Sequence, residues 1–251
     1  MKNTTASVIR QFPCEKCPLQ SYPHFQAHEK DEVSFLSGFK TGEMVADPGT
    51  TVLTEGASSA HLFTVLSGWG FRYKTLEDGR RQILNYVLPG DLIGLQGSVM
   101  TEMQHSVEAL SPMILCVFQR SKLPDLFQNF PSLGYDITWL ASREEQMLDE
   151  ILLSVGRRTA LERAAYLFAF IFQRAKLVGM VKNDKLMVPL RQQHVADTLG
   201  LSIVHTNKTL KKLADRGALR WIDRGCEVLD NQALLDISGW QGLPATPRPY
   251  I

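Results

Sequence analysis

Two places in the chain carry side chains whose type and spacing could do chemistry. The first is Cys14-Glu15-Lys16-Cys17, a thiol pair that can close a disulfide or share a metal. The second is residues 202–212, Ser-Ile-Val-His-Thr-Asn-Lys-Thr-Leu-Lys-Lys, where hydroxyl, imidazole, amide and ammonium groups recur at helical spacing. Such groups read base edges and phosphates in a DNA major groove. Ser202, His205, Thr206, Asn207, Lys208, Lys211 and Lys212 are the candidate DNA-contacting residues.

These residues need a scaffold, and the surrounding pattern supplies one. Val195, Ala196 and Leu199 form the buried side of a short helix, and Gly200 allows the left-handed turn after it. Ser202 caps a second helix whose Val204, Leu210 and Leu213 face inward. A solvated surface hairpin would share this pattern, so charge is needed to separate the two. Residues 157–224 hold fourteen Lys and Arg against five Asp and Glu, a net +9 within a chain of +1, leaving −8 elsewhere. One basic module beside an acidic one is the footprint of a protein that meets phosphates with a single domain.

At 251 residues the chain has room for two domains, and 44% hydrophobic with 21% charged residues is a globular composition. No stretch approaches the roughly 20 apolar residues of a membrane span, and the first residues lack the apolar core of a signal peptide. Four cysteines without such a signal point to a reducing cytoplasm, where thiols serve metals or redox chemistry.

From about Phe35 to Phe118 the chain reads as short strands punctuated by Pro48-Gly49, Ser67-Gly68, Asp78-Gly79 and Pro89-Gly90-Asp91. Many short strands at regular spacing predict a double-sheet roll. A long helix over Ser132–Val155 comes after them. Its Leu133, Ile137, Leu140, Leu148, Ile151 and Val155 form a stripe suited to a symmetry mate, with Trp139, Leu152 and Leu153 left for the intramolecular contact. A helix from Thr159 to about Leu177 comes next, and Leu219–Ile222 with Glu227–Leu229 predicts a β-hairpin wing beyond the helical pair. The expected fold class is α+β, with an N-terminal double-stranded β-roll of jelly-roll type, a dimerisation helix and a winged helix-turn-helix. The expected boundaries are 1–34 for a cysteine-bearing segment, 35–131 for the roll, 132–156 for the helix, 157–240 for the DNA-binding domain and 241–251 for an irregular tail.

That order resembles the Crp/Fnr family of bacterial transcription regulators over roughly residues 14 to 230. The resemblance rests on Leu-Phe-Thr-Val-Leu-Ser-Gly at 62–68, the Asp78-Gly79 turn, Leu-Pro-Gly-Asp-Leu-Ile-Gly at 88–94 and the segment Val195 to Leu219. It implies a homodimer on a near-palindromic double-stranded DNA operator. For activators it implies a roll surface for RNA polymerase, although repression by occlusion suits the same residues. By motif, Val204 stands at the base-reading Glu position of the cyclic-AMP receptor branch and His205 at that of the oxygen-sensing branch. Lys208 stands at the Arg position, without the bidentate fork of Arg. His205 and Lys208 are therefore expected at bases, with Thr206, Lys211 and Lys212 nearer phosphates.

The resemblance also frames the signal. Leu95 and His105-Ser106 stand where the cyclic-nucleotide branch has its ribose Glu and phosphate Arg-Ser, so no cyclic AMP is expected. The oxygen-sensing branch holds a [4Fe-4S] cluster on three N-terminal cysteines and one in the roll. Cys14, Cys17 and Cys116 match three of these, and the third N-terminal position falls near Pro23. His24 is the expected fourth ligand, with His28, Glu29 and Asp31 as alternatives. A Cys14–Cys17 dithiol or mononuclear metal site, another small-molecule effector, haem at His61 and His105, and a regulator that senses nothing stay open. Cys226 reads as structural, with neighbouring Arg224 as the one feature favouring reactivity. An enzyme is the class least supported. There is no Walker loop, nucleophile elbow, His-Glu-x-x-His run or cupin His-x-His pair, and Asp149-Glu150 are adjacent helical residues that diverge.

Overall fold

A helix lies ahead of all but one of the strands of the sensor region. The computed structural model describes residues 8–9, 12–223, 225–244 and 246–251. In it α1 (Lys30–Phe39) spans the stretch where strands were expected to begin. Glu32 starts it by accepting a hydrogen bond from Glu29 N–H at 2.9 Å. Leu36 and Phe39, three apart, face inward, and Phe39 stacks on Phe118 at 5.0 Å.

The chain forms two compact units, residues up to 72 with 87–145 and 246–251, and residues 73–86 with 146–245. Residues 73–86, expected in the roll, group by contacts with the second unit although their strands pair within a sheet of the roll, and residues 246–251, expected as a tail, group with the first. The first unit contains β1 (Val8–Ile9), β2 (Lys40–Ala46), β3 (Thr51–Leu53) and β4 (His61–Ser67). After β5 (Gly70–Thr75) and β6 (Arg81–Val87) come β7 (Leu92–Ile93), α2 (Leu95–Met100), β8 (Ser106–Ala109), β9 (Met113–Gln119) and α3 (Leu123–Asn129). One sheet has the order β1-β2-β9-β4-β7 and the other β3-β8-β5-β6, the double-sheet roll that the turn spacing predicts. Most of the β5–β6 hairpin, residues 73–86, groups with the second unit.

Side chains alternate along β9 between the two faces of its sheet. Met113, Leu115 and Val117 point into the roll core with Phe63, Val65 and Val107. Cys116 and Phe118 must then face the opposite side of the five-stranded sheet, where they are nonetheless buried.

α4 (Pro131–Arg157) runs from the first unit into the second. Here the expected dimer stripe is corrected. Leu133, Ile137 and Leu140 are 0%, 2% and 5% exposed, so their own chain already covers them. Ile151 and Val155 are half-buried, and of the six only Leu148 is exposed. Leu152 and Leu153, assigned to the intramolecular contact, are instead exposed, together with Tyr135. A four-three apolar spacing marks a helix stripe that is buried, but not the surface that buries it.

In the second unit α5 (Ala160–Leu177) is capped by Thr159, whose N–H donates to Glu162 at 2.8 Å. It is buried through most of its length. Around it stand β10 (Leu186–Val188), α6 (Gln192–Leu199), α7 (Ile203–Asp215), β11 (Leu219–Ile222), β12 (Gly225–Val228) and α8 (Asn231–Ser238). The wing hairpin β11–β12 lies where it was expected, and β10 adds a third strand in the order β10-β12-β11.

The β4–β5 turn depends on Gly68. Its φ is +92°, and a Cβ there would lie 2.2 Å from the Pro112 carbonyl oxygen. Gly68→Ala should therefore cost about 2 kcal/mol or more in urea unfolding, and an unchanged midpoint would contradict this reading of the turn.

Candidate DNA interface and cysteine site

The helical pair has the geometry its sequence demands. Gly200 ends α6 with φ 64°, and Ser202 Oγ accepts from His205 N–H at 3.3 Å to begin α7. The Ser202 hydroxyl is thus engaged as a cap. Arg163 donates to Leu199 O at 2.6 Å, fixing the turn to α5. Tyr86 and Thr198 hydroxyls meet at 2.6 Å, and Arg81 pairs with Asp197 at 2.9 Å, so the hairpin tip holds α6 from another side.

The buried stripe of α7 is Thr206, Thr209, Leu210 and Leu213. This corrects two expectations. Thr206 is fully buried and cannot reach a phosphate. Val204, expected inward, is 61% exposed, because it lies two residues, or about 200° of helical rotation, from Thr206. At about 100° per residue, the positions most nearly opposite the stripe are Val204, Lys208 and Lys211, flanked by Asn207 and Lys212, with His205 toward the edge. Asn207, Lys208, Lys211, Lys212 and His205 are all exposed. Lys211 reaches Asp215 at 2.9 Å, but both side chains are largely solvated, so the pair is weak and its ammonium available. The exposure of Val204 agrees with the motif alignment that puts it at a base-reading position, and not with the apolar pattern that turned it inward. An exposed apolar side chain among polar ones has the chemistry that suits a thymine methyl.

In the first unit, the strand register places Cys116. On the outer sheet face Cys116 lies between Glu43 on β2 and Thr64 on β4. Lys40 and Glu43 are buried and paired at 2.5 Å. Lys40 Nζ donates to Phe12 O at 2.6 Å, and Phe12 N–H donates to Glu43 Oε1 at 2.9 Å. Both backbone groups of Phe12 are thereby clipped to the sheet two residues before Cys14. Burial works against the Lys40 ammonium, yet the hydrogen bond to Glu43 and its charge help to hold the pKa above the usual lysine value.

Cys14, Cys17, Cys116 and His28 line one cavity of about 20 Å³, closed by Leu36, Phe118, Tyr250 and Ile251. Burial pushes the Cys17 thiol up and the Cys116 thiol up to about 12, so both are protonated at neutral pH. His28 has a buried Nε2 without a hydrogen-bond partner among the described residues. Burial holds its pKa below the ordinary imidazole value, leaving it neutral with a lone pair to give. His24 is corrected as the fourth ligand. It is absent from this cavity and instead accepts from Arg248 N–H through its carbonyl at 2.9 Å. Glu29 and Asp31 are exposed away from it.

Three thiols and an imidazole are the donor chemistry of an iron–sulfur site. Among the described residues no three such side chains stand close enough to hold a metal ion. About 20 Å³ is room for one water-sized atom, not for a cube of four irons and four sulfides. The donors match a cluster in kind, and the cavity as it stands is too small for one. Elsewhere, Cys226 is fully buried in the wing and its thiol is pushed up to about 12, so it is structural; Arg224 lies outside the described residues. In the roll, Ser106 Oγ accepts from Glu55 N–H at 3.0 Å.

A β-roll, a long helix and a winged helix-turn-helix with an outward basic face define a class, the two-unit DNA-binding regulators. Comparison with known proteins agrees. Residues 43–130 match the model of the cyclic nucleotide-binding domain, and residues 162–237 that of the Crp-like helix-turn-helix domain. The nitrogen fixation regulation protein FixK of Bradyrhizobium diazoefficiens is 33% identical, over 72% of this chain and 76% of its own. The transcriptional activator protein FnrL of Cereibacter sphaeroides is 26% identical, over 82% and 83%. The solved structure of FixK2 from Bradyrhizobium japonicum superposes with a TM-score of 0.70 at 25% identity, over 79% of this chain and 96% of that one. The chain belongs to the Crp/Fnr family of transcription regulators and is not an enzyme.

The buried and the outward positions of α7 are separable by experiment. Thr206→Val removes a buried hydroxyl that has no hydrogen-bond partner among the described residues, so it should keep or raise Tm and leave DNA affinity unchanged. A selective loss of DNA binding at constant Tm would return Thr206 to the interface. Lys208→Ala should weaken preferred duplexes by about 1–3 kcal/mol and flatten base preference, whereas uniform weakening across sequences would make it a phosphate contact.

Proposed function

We propose that this protein is a cytoplasmic, homodimeric transcription regulator whose roll reads a redox or oxygen signal at Cys14, Cys17 and Cys116. The observation that carries the reading is convergence. Two segments about a hundred residues apart in sequence deliver three thiols and a neutral imidazole to one enclosed space. An inert core cysteine would not have a CxxC pair clipped over it by a buried Lys–Glu pair.

In one form of this reading, Cys14, Cys17 and Cys116 would hold a [4Fe-4S] cluster with His28 as the fourth ligand. The cluster would supply oxygen-sensitive electron chemistry. The protein's part is to keep His28 neutral, exclude water through Leu36 and Phe118, and hold the pair at Phe12. Accommodating it requires the segment bearing Cys14 and Cys17 to move outward from Cys116. The small cavity favours a second form, a Cys14–Cys17 dithiol that loses two electrons and two protons to an oxidant as its S–S bond closes.

One preparation separates the two. Protein purified without oxygen should contain iron and acid-labile sulfide that fall sharply in Cys116→Ser and His28→Ala, but not in His24→Ala. Colourless protein lacking both would remove the cluster form. Loss of two titratable thiols on oxidation, with a change in DNA affinity, would then support the dithiol.

DNA binding by a symmetric pair is the other half of the proposal. The exposed Leu148 and Leu152 of α4, one helical turn apart, support a contact with a second copy, since they are 40% and 73% exposed. The second copy then sets the spacing of two α7 helices on operator half-sites, and RNA polymerase is a further partner if the protein activates. Leu152→Glu should shift the protein toward monomer in sedimentation and weaken operator binding at least tenfold, with Tm little changed. A variant that remains fully dimeric would place the interface on another face.

A further inference from the structure

Residues 246–251, expected to be an irregular tail, are built into the cysteine site. Arg248 N–H donates to His24 O and its carbonyl accepts from Gln26 N–H, both at 2.9 Å, a parallel bridge beside Phe25. Pro247 and Pro249 flank the one residue that pairs, restricting the backbone to extended forms and removing competing donors.

The Arg248 side chain then crosses to the roll. It reaches Asp91 at 3.1 Å and Gly90 O at 2.7 Å, while its guanidinium lies over the Phe25 ring at 5.4 Å. Asp91 is only 4% exposed in its side chain, and its other carboxylate oxygen accepts from Leu88 N–H at 2.8 Å. A buried carboxylate needs such a partner. Gly90 gives the space, since a Cβ there would stand 2.3 Å from the Phe25 ring. With Arg248 fixed, Tyr250 packs on Phe25 at 5.3 Å and on His28 at 4.5 Å, and both Tyr250 and Ile251 line the cavity with the three thiols.

We propose that Arg248 is a positioning residue for the cysteine site. It locks segment 246–251 across residues 24–28 as the outer wall of the thiol cavity and so sets solvent and oxidant access to Cys17 and Cys116. This rests on the redox reading for its use, though not for its geometry. The wall has two anchors on the roll side, Asp91 and Gly90 O, and one on the cysteine-bearing segment, the backbone bridge. Truncation of the Arg248 side chain removes the two anchors on the roll and leaves the segment held by the backbone bridge alone.

The test is the rate of iodoacetamide labelling at each cysteine, read by peptide mass spectrometry. It uses the full chain after treatment with chelator and reductant, so that thiols are free in either redox form. In Arg248→Ala, labelling at Cys17 and Cys116 should accelerate at least tenfold, while Cys226, buried in the wing, keeps its rate. Arg248→Lys, which retains the charge, should fall between. Tyr250→Ala removes the wall without touching Asp91 and should accelerate the same two thiols, which serves if Arg248→Ala does not fold. Unchanged rates at Cys17 and Cys116 in a folded variant would overturn the proposal. A parallel rise at Cys226 would also overturn it, because the segment would then stabilise the protein generally. Faster labelling in a protein whose DNA affinity ignores oxidation would keep the wall and sink the redox reading, so the two failures are distinguishable.

Discussion

Cys116 is turned away from the core of its own domain. Met113, Leu115 and Val117 take the inward positions of β9, so strand alternation sends Cys116 to the outer sheet face beside Glu43 and Thr64. That face must be covered, and its cover is the segment carrying Cys14 and Cys17. The Lys40–Glu43 pair holds this segment through Phe12, and residues 246–251 lie over it. A one-residue slip of β9 would put Cys116 in the core and dismantle the site. The placement of every other donor is a consequence of that parity.

The second unit rests on a similar rule with a different period. Thr206, Leu210 and Leu213 use one side of α7 for packing, which leaves Val204, Lys208 and Lys211 on the other. Arg163, Arg81 and Tyr86 hold the preceding α6 by three polar contacts, so the reading helix is presented by a fixed base rather than by a mobile loop. A rigid support is what precise contact with base edges needs.

Much of this was legible in the residues. Turn chemistry at Asp78-Gly79 and Gly200, the cap at Ser202, and β-branched runs in the strands each act locally, and each lies where expected. What failed depended on tertiary choice. The stripe of Leu133, Ile137 and Leu140 has the spacing of a dimer seam, yet the first unit claims it for its own core. Thr206 looked polar enough for DNA, but its place in the four-three row with Leu210 and Leu213 was the better guide. α1 was hidden because Lys30–Phe39 lies beside strand-like residues. His24 and His28 differ by four positions, and only the packing of Tyr250 shows which one reaches the thiols. The role of Arg248 had no local signal, since Asp91 lies 157 positions away.

The proposed coupling is between chemistry at the three-thiol cavity and the way α7 meets DNA. Fluorescence anisotropy with a selected operator duplex, run without oxygen and again after oxidation, measures it directly in the full protein and in Cys116→Ser. Affinity of the unmodified protein should differ at least tenfold between the two conditions, and the difference should vanish in Cys116→Ser. An equal response in both proteins, or none in either, would contradict the coupling.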